Sequence, residues 1–170
     1  IGNGNPEQRT SLTVTGGVIQ TDTGFAIAGN GEGDGTDITI NGGEITSTGS
    51  NVIYHPQEGD LTINGGTITG HSGVQYCGAG TVTITGGTLR ATIEYQETPF
   101  KPANQPDGST FDGAALSIIS RGGGYQSEGD TITVDITGGT FISDHNAAIS
   151  VYRLQRPDDN GWVINDATNG

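Results

Sequence analysis

Hydrophobic and polar residues alternate along much of this chain with a period of two. The pattern is clearest in five phrases, each interrupted by two glycines: LTVTGGVI (12–19), ITINGGEI (38–45), LTINGGTI (61–68), VTITGGTL (82–89) and VDITGGTF (134–141). A period of two predicts β-strands, because successive side chains of a strand point to opposite faces. Each phrase is therefore predicted to be a strand, a corner and a second strand. Glycine suits the corner because it accepts a positive φ and leaves room for a neighbouring backbone.

Two columns of apolar residues are predicted to form the interior. The first strands contribute Val14, Ile40, Ile63, Ile84 and Ile136, and the second strands contribute Ile19, Ile45, Ile68, Leu89 and Phe141. A third apolar segment follows each phrase, in GFAIAG (24–29), NVIYHP (51–56), VQYCG (74–78), AALSIIS (114–120) and AAISVYR (147–153). Its inward face stays open, since Val74 and Tyr76 favour one parity and Ile149 and Val151 favour the other.

The spacing of the phrases predicts the architecture. Four of the phrases follow one another at 21 to 26 residues, which is typical of one turn of a solenoid, and the fifth follows after a longer gap. We therefore expect an all-β, right-handed parallel β-helix of about five turns with three strands per turn. The whole chain, 1–170, is predicted to be one domain with its core at about 11–153. Residues 154–170 form either a cap or the start of a further turn.

The Thr-[Ile/Val]-[Thr/Asn]-Gly-Gly phrase resembles the right-handed β-helix repeats of large surface proteins of Gram-positive gut bacteria. The resemblance covers roughly residues 11–153. It implies an extracellular protein, anchored to a bacterial cell surface or secreted, and some proteins of this kind are labelled as carbohydrate-binding. The chain begins at Ile1 and contains no Met, so we expect it to be a piece of a longer protein.

Charge narrows the range of partners. The chain has 19 acidic and 6 basic residues and a net charge of −13. No basic stripe is available for phosphate groups, which argues against nucleic acid as a partner. No apolar run approaches the roughly 20 residues of a membrane-spanning helix, so direct membrane insertion is not expected either.

The repeat is interrupted in its fourth turn, where a binding site is predicted. Residues 96–113 (QETPFKPANQPDGSTFDG) form a long insertion, and 120–130 lengthen the return to the fifth turn. Loops of this length often carry function, although a tolerated insertion without a role is the alternative. The predicted contact residues are the aromatic and basic side chains in and around this loop: Arg90, Tyr95, Phe100, Lys101, Phe111, Arg121 and Tyr125.

Catalysis and metal binding have less support from the sequence. A β-helix hydrolase needs clustered carboxylates, whereas the only adjacent pair, Asp158-Asp159, lies in a turn. No cofactor is expected. The alternative is a Ca²⁺ site formed by Asn30, Glu32, Asp34 and Asp37, which alternate in a glycine-rich loop. A row of outward threonines would suit ice binding, but Asp135 interrupts it in the fifth turn.

The sequence therefore predicts a non-catalytic, adhesin-like binding module. Its partner would be a glycan or protein of the host or environment, a host glycoprotein or immunoglobulin included. The alternatives are a passive stalk and, with less support, a polysaccharide lyase or hydrolase.

Overall fold

The computed structural model describes residues 9–29, 35–93, 103–104, 109–121, 131–155 and 163–169. All the regular elements in these residues are β-strands. Within the same residues, no helix is long and apolar enough to cross a membrane.

The first sheet contains five parallel strands. In spatial order they are β1 (Thr10–Val14), β4 (Thr36–Ile40), β6 (Leu61–Ile63), β8 (Gly80–Ile84) and β13 (Ile132–Ile136). Each is the strand that precedes a glycine pair, so the five phrases are stacked in the order of the sequence. Their apolar column is in register, with Ile40 opposite Val14 and Ile63.

The second sheet contains nine strands and receives the chain after each glycine pair. They are β2 (Val18–Thr21), β3 (Ile27–Ala28), β5 (Glu44–His55), β7 (Thr67–Tyr76), β9 (Thr88–Ala91), β12 (Leu116–Arg121), β14 (Thr140–Ser143), β15 (Ile149–Gln155) and β16 (Val163–Asn169). All its pairs are parallel except the last, in which β16 runs antiparallel to β15. A separate antiparallel ribbon joins β10 (Ala103–Asn104) to β11 (Thr110–Phe111).

The prediction of a β-helix with three strands per turn is wrong. The strands form two mostly parallel sheets, and a closed solenoid is not what they build. The error lies in the second and third strands of a turn, which were predicted to be separate. They are continuous in β5 and β7, where the ladder between them shows only a register shift between Ser47 and Asn51. Small residues in this stretch, including Gly70 and Ser72, let the chain continue in extended form without a break.

The glycine corners are explained by two different requirements. The second glycine of each phrase has a positive φ, for example +90° at Gly66, which side chains rarely adopt. The first glycine needs space, because a Cβ at Gly86 would lie 2.5 Å from the carbonyl oxygen of Asn64 in the preceding turn. Both requirements agree with the roles that the sequence predicts for these residues.

The core lies between the two sheets and contains the predicted columns. Ile40, Ile63, Ile68 and Leu89 are fully buried in one apolar cluster. The third apolar segments join the same cluster through one further column, Ile27, Ile53, Val74, Leu116 and Ile149, which is in register across five strands. The two parities that the sequence left open are therefore one: Val74 and Ile149 face inward together.

The polar column before the corner forms a hydrogen-bonded ladder. The amide of Asn64 donates to Asn41 at 2.8 Å, and the hydroxyl of Thr85 donates to Asn64 at 2.7 Å. Thr13, Thr39, Thr62 and Thr83 are also in register on this outer face, and Asp135 occupies the fifth place. The outer face of the first sheet is thus polar and regular.

Candidate binding site

The end of the turn-four insertion lies against the second sheet. Ser109, Thr110, Asp112 and Gly113 are buried, whereas Phe111 between them is partly exposed. A loop of this length was expected to project from the scaffold, and residues 109–113 do not. These residues cover the outer face of the third apolar segments, the face opposite the core.

Gln75 is the first point at which the insertion is fixed. Its side-chain oxygen accepts the backbone N–H of Thr110 at 3.0 Å and also a hydrogen bond from the Asn51 amide. Asn51 in turn donates to the carbonyl of Thr110 at 3.2 Å. Because all three residues are buried, these hydrogen bonds are shielded from competing water.

Asp112 is the second point and the most unusual group in the protein. Its buried carboxylate accepts hydrogen bonds from the N–H of Ala114 at 3.0 Å, the hydroxyl of Ser117 at 2.5 Å and the hydroxyl of Tyr152 at 3.1 Å. Burial raises the pKa of Asp112, and the three hydrogen bonds oppose that rise in part. The insertion is thereby tied to β12 and β15 at once.

Gly113 supplies a third attachment. Its N–H donates to the Ser72 hydroxyl at 2.9 Å, and its carbonyl accepts a hydrogen bond from Ser143 at 2.8 Å. We call Asn51, Ser72, Gln75, Thr110, Asp112, Gly113, Ser117, Ser143 and Tyr152 the anchor cluster. It joins turns two to five around the end of the insertion.

Phe111 is a predicted contact residue that the anchor cluster holds in place. The flanking Thr110 and Asp112 are bound to the sheet, so the backbone of Phe111 is fixed while its ring stays partly exposed. The ring meets His71 edge to face, with centroids 6.2 Å apart and planes at 84°. Thr92 lies beside His71 on the next turn, with its backbone N–H bonded to Gly70 at 2.9 Å. An aromatic ring, an imidazole and a hydroxyl therefore share one surface.

Arg90, the second predicted contact residue with a described side chain, has a different partner. Its guanidinium binds both carboxylate oxygens of Asp144, at 2.9 and 2.8 Å, on the outside of β9 and its neighbour. Both side chains are partly exposed, and a carboxylate paired in this way leaves the arginine less available to a ligand.

Replacing Arg90 by Ala is expected to lower the free energy of unfolding by less than about 1 kcal/mol, because exposed ion pairs contribute little. Urea unfolding measures the change, with Thr88→Ala on the same outer face as the control. A loss above about 2 kcal/mol would contradict this view and show that the pair supports the fold.

Four of the predicted contact residues, Tyr95, Phe100, Lys101 and Tyr125, lie outside the described residues, as does the acidic pair Asp158-Asp159. Arg121 is the last residue of β12, and only its backbone is described. Of the predicted binding residues, the structure thus places Arg90 and Phe111, each with its own partner.

The predicted Ca²⁺ ligands are only partly placed. Asn30, Glu32 and Asp34 lie outside the described residues. Asp37 accepts the backbone N–H of Asp60 at 2.9 Å, and it lies 3.7 Å from the guanidinium of Arg9. In the described part of the chain, no group of three or more His, Cys, Asp or Glu side chains could hold a metal ion.

Two other groups with chemical potential are enclosed by the fold. His55 is fully buried, bonds the carbonyl of Thr36 at 2.8 Å and stacks on Tyr76, and burial lowers its pKa. Cys77 is fully buried in a second apolar cluster with Tyr54, Ile119 and Tyr152. Both residues pack the scaffold, and neither presents a reactive atom on the surface.

The sequence did not single out the anchor residues. Asn51, Gln75 and Ser117 are polar side chains on the face of the third segments opposite the core, and such residues normally face water. The one available signal was an Asp-Gly pair, 112–113, at the point where the insertion returns to the repeat. Comparison with known proteins adds no assignment: no family model, no curated protein and no solved structure matches the chain.

Proposed function

We propose that this protein is a non-catalytic binding module, carried on a bacterial cell surface or secreted. It recognises a glycan or a protein of its host or environment through the turn-four insertion and the adjacent face. One observation carries the proposal: buried hydrogen bonds on both sides of Phe111 fix its backbone while its ring stays partly exposed. Holding a contact residue in place before binding reduces the entropy lost on association.

The surface around Phe111 has the groups that such recognition uses. The exposed part of the aromatic ring supplies apolar contact area, and it can stack on the face of a sugar or fill a pocket of a partner protein. His71 and Thr92 offer polar atoms beside it, and Arg90 with Asp144 adds charged groups on β9 and the loop after β14. Aromatic side chains next to arginine are common anchors of interfaces.

A passive stalk is the second candidate, and a different observation favours it. The turns repeat in unbroken register, and the Asn41–Asn64–Thr85 ladder satisfies its polar groups within the protein itself. A surface that binds its own neighbours has less need of a ligand. The two candidates differ in whether a partner exists that depends on Phe111.

Replacing Phe111 by Ala is expected to weaken binding at least about tenfold, the usual range for an interface anchor. Partners are first identified on a glycan array and by pull-down with host proteins, and their affinities are then measured by calorimetry. The matched control is Val18→Ala, an exposed apolar residue at the other end of the protein.

Circular dichroism and thermal unfolding should show that both variants fold. A partner that binds the Phe111 variant and the control equally would contradict the assigned surface. If neither search finds a partner, the stalk is the better explanation. A single substitution is preferable to deletion of 96–113, because the deletion would also expose the buried anchor cluster.

A further inference from the structure

Gly16 is a glycine that the described structure does not require. It is the first glycine of its corner, and its φ is not in the positive range. No described atom lies within 4 Å of the position that its Cβ would occupy. The equivalent glycines of the later turns differ, since a Cβ at Gly42, Gly65, Gly86 or Gly138 would lie 2.2 to 3.0 Å from a carbonyl oxygen of the preceding turn. Gly16 has the form of a corner on which another turn is stacked.

The strands on either side of Gly16 are open in the same direction. Among the described residues, β1 pairs only with β4, and β2 pairs only with β5. Neither strand contains Lys or Pro, the residues that commonly block the pairing of an exposed edge. Val18 in β2 is 69% exposed, the highest value among the exposed large hydrophobic residues. This end offers both backbone hydrogen-bonding groups and apolar surface.

The opposite end carries the matching half of such a contact. β13 pairs only with β8 and β14 only with β9 within the described residues, and Val134 and Ile136 are 43% and 37% exposed. The phrase VDITGGTF (134–141) repeats LTVTGGVI (12–19) position for position. Val134 would therefore face Leu12, and Thr137 would place its carbonyl over Gly16. The contact would continue the interface that already joins neighbouring turns within the chain.

One strand stands in the way of this contact. β16 pairs antiparallel with the free edge of β15. The β3 of a second copy would pair at that same edge, since β3 follows β2 as β15 follows β14. Two strands cannot occupy one edge, so β16 has to leave before a second copy can stack completely.

We propose that the end formed by β1, β2 and Gly16 accepts the last turn of a second copy of this chain, and that β16 competes with that copy. A head-to-tail contact of this kind does not close on itself, so it would extend into filaments. β16 therefore limits the growth that an open stack of parallel strands otherwise permits.

The test removes β16 from the edge of β15 and measures self-association. Prolines at both Ala167 and Thr168 remove a donor from the ladder, whichever of the two residues faces β15. We expect this variant to associate at least about tenfold more strongly than the unsubstituted chain in sedimentation experiments over a concentration series. Adding Gly16→Ala should reverse the gain, because the new Cβ would meet the carbonyl of the stacked turn.

Two results would overturn the proposal. One is a proline variant that keeps its β-sheet circular dichroism and does not associate more than the unsubstituted chain. The other is association that Gly16→Ala leaves unchanged, since the contact would then not involve this corner. If the prolines unfold the chain, the unsubstituted protein is compared with Gly16→Ala alone at high concentration. A lower association of the Gly16 variant supports the proposal, and equal association overturns it.

Discussion

Replacing Gly86 by Ala is expected to lower the free energy of unfolding by about 3 kcal/mol, whereas Gly16→Ala should change it by less than about 0.5 kcal/mol. The two glycines occupy the same position of the repeated phrase. At Gly86 the new Cβ would lie 2.5 Å from the backbone carbonyl of Asn64, and at Gly16 no described atom is within 4 Å. A backbone carbonyl in a stacked turn cannot move aside as a flexible side chain can.

Chemical unfolding at low protein concentration measures both variants. Gly17→Ala separates space from backbone conformation, because Gly17 has a φ of +86° and no close atoms. Its cost should fall between the other two, at about 1 kcal/mol. Equal losses for Gly86 and Gly16 would show that the corner needs glycine for another reason than the turn beside it.

Replacing Asp112 by Ala is expected to lower the free energy of unfolding at pH 7 by about 3 kcal/mol. Three donors, on Ala114, Ser117 and Tyr152, lose their acceptor inside the protein, and buried donors without a partner are costly. Asp112→Asn keeps the shape and one side-chain oxygen, so its cost should be less than half as large.

The same residue predicts a dependence on pH. Burial raises the folded-state pKa of Asp112 above its ordinary value of 3.8, so the folded protein favours the protonated carboxyl. Its contribution to stability is fully present below pH 3.8 and is lost as pH rises through the folded-state pKa. The difference in unfolding free energy between the natural chain and Asp112→Asn should therefore shrink or reverse as pH rises from about 4. A difference that is constant from acidic to neutral pH would contradict this assignment.

Local pattern was sufficient for the parts of the fold that repeat. Ile40, Ile63 and Ile84 alternate with polar residues, and a strand with that pattern has only one way to bury its apolar side. The paired glycines likewise identify each corner directly. The continuity of β5 and β7 was not visible, because Ser, Thr and Gly between the two segments are compatible with both a bend and an extended strand.

The candidate site was predictable only in its position along the chain. An interruption of the repeat identified the insertion and Phe111. The anchor cluster was missed because its contacts are distant in sequence: Asn51 bonds Thr110 across 59 positions, and Gln75 bonds it across 35. Polar residues such as these are recognisable as buried only when the segment that covers them is known.

The unequal spacing of the turns has a consequence for the order of folding. Neighbouring turns among the first four bring together residues 26, 23 and 21 positions apart, as in Val14 with Ile40 and Ile63 with Ile84. Ile136 reaches Ile84 across 52 positions, because the insertion lies between them. Closing a longer loop costs more entropy before any contact repays it. The first four turns can therefore form by successive short steps, and docking of the fifth turn, together with the anchor cluster, is the slow event of folding.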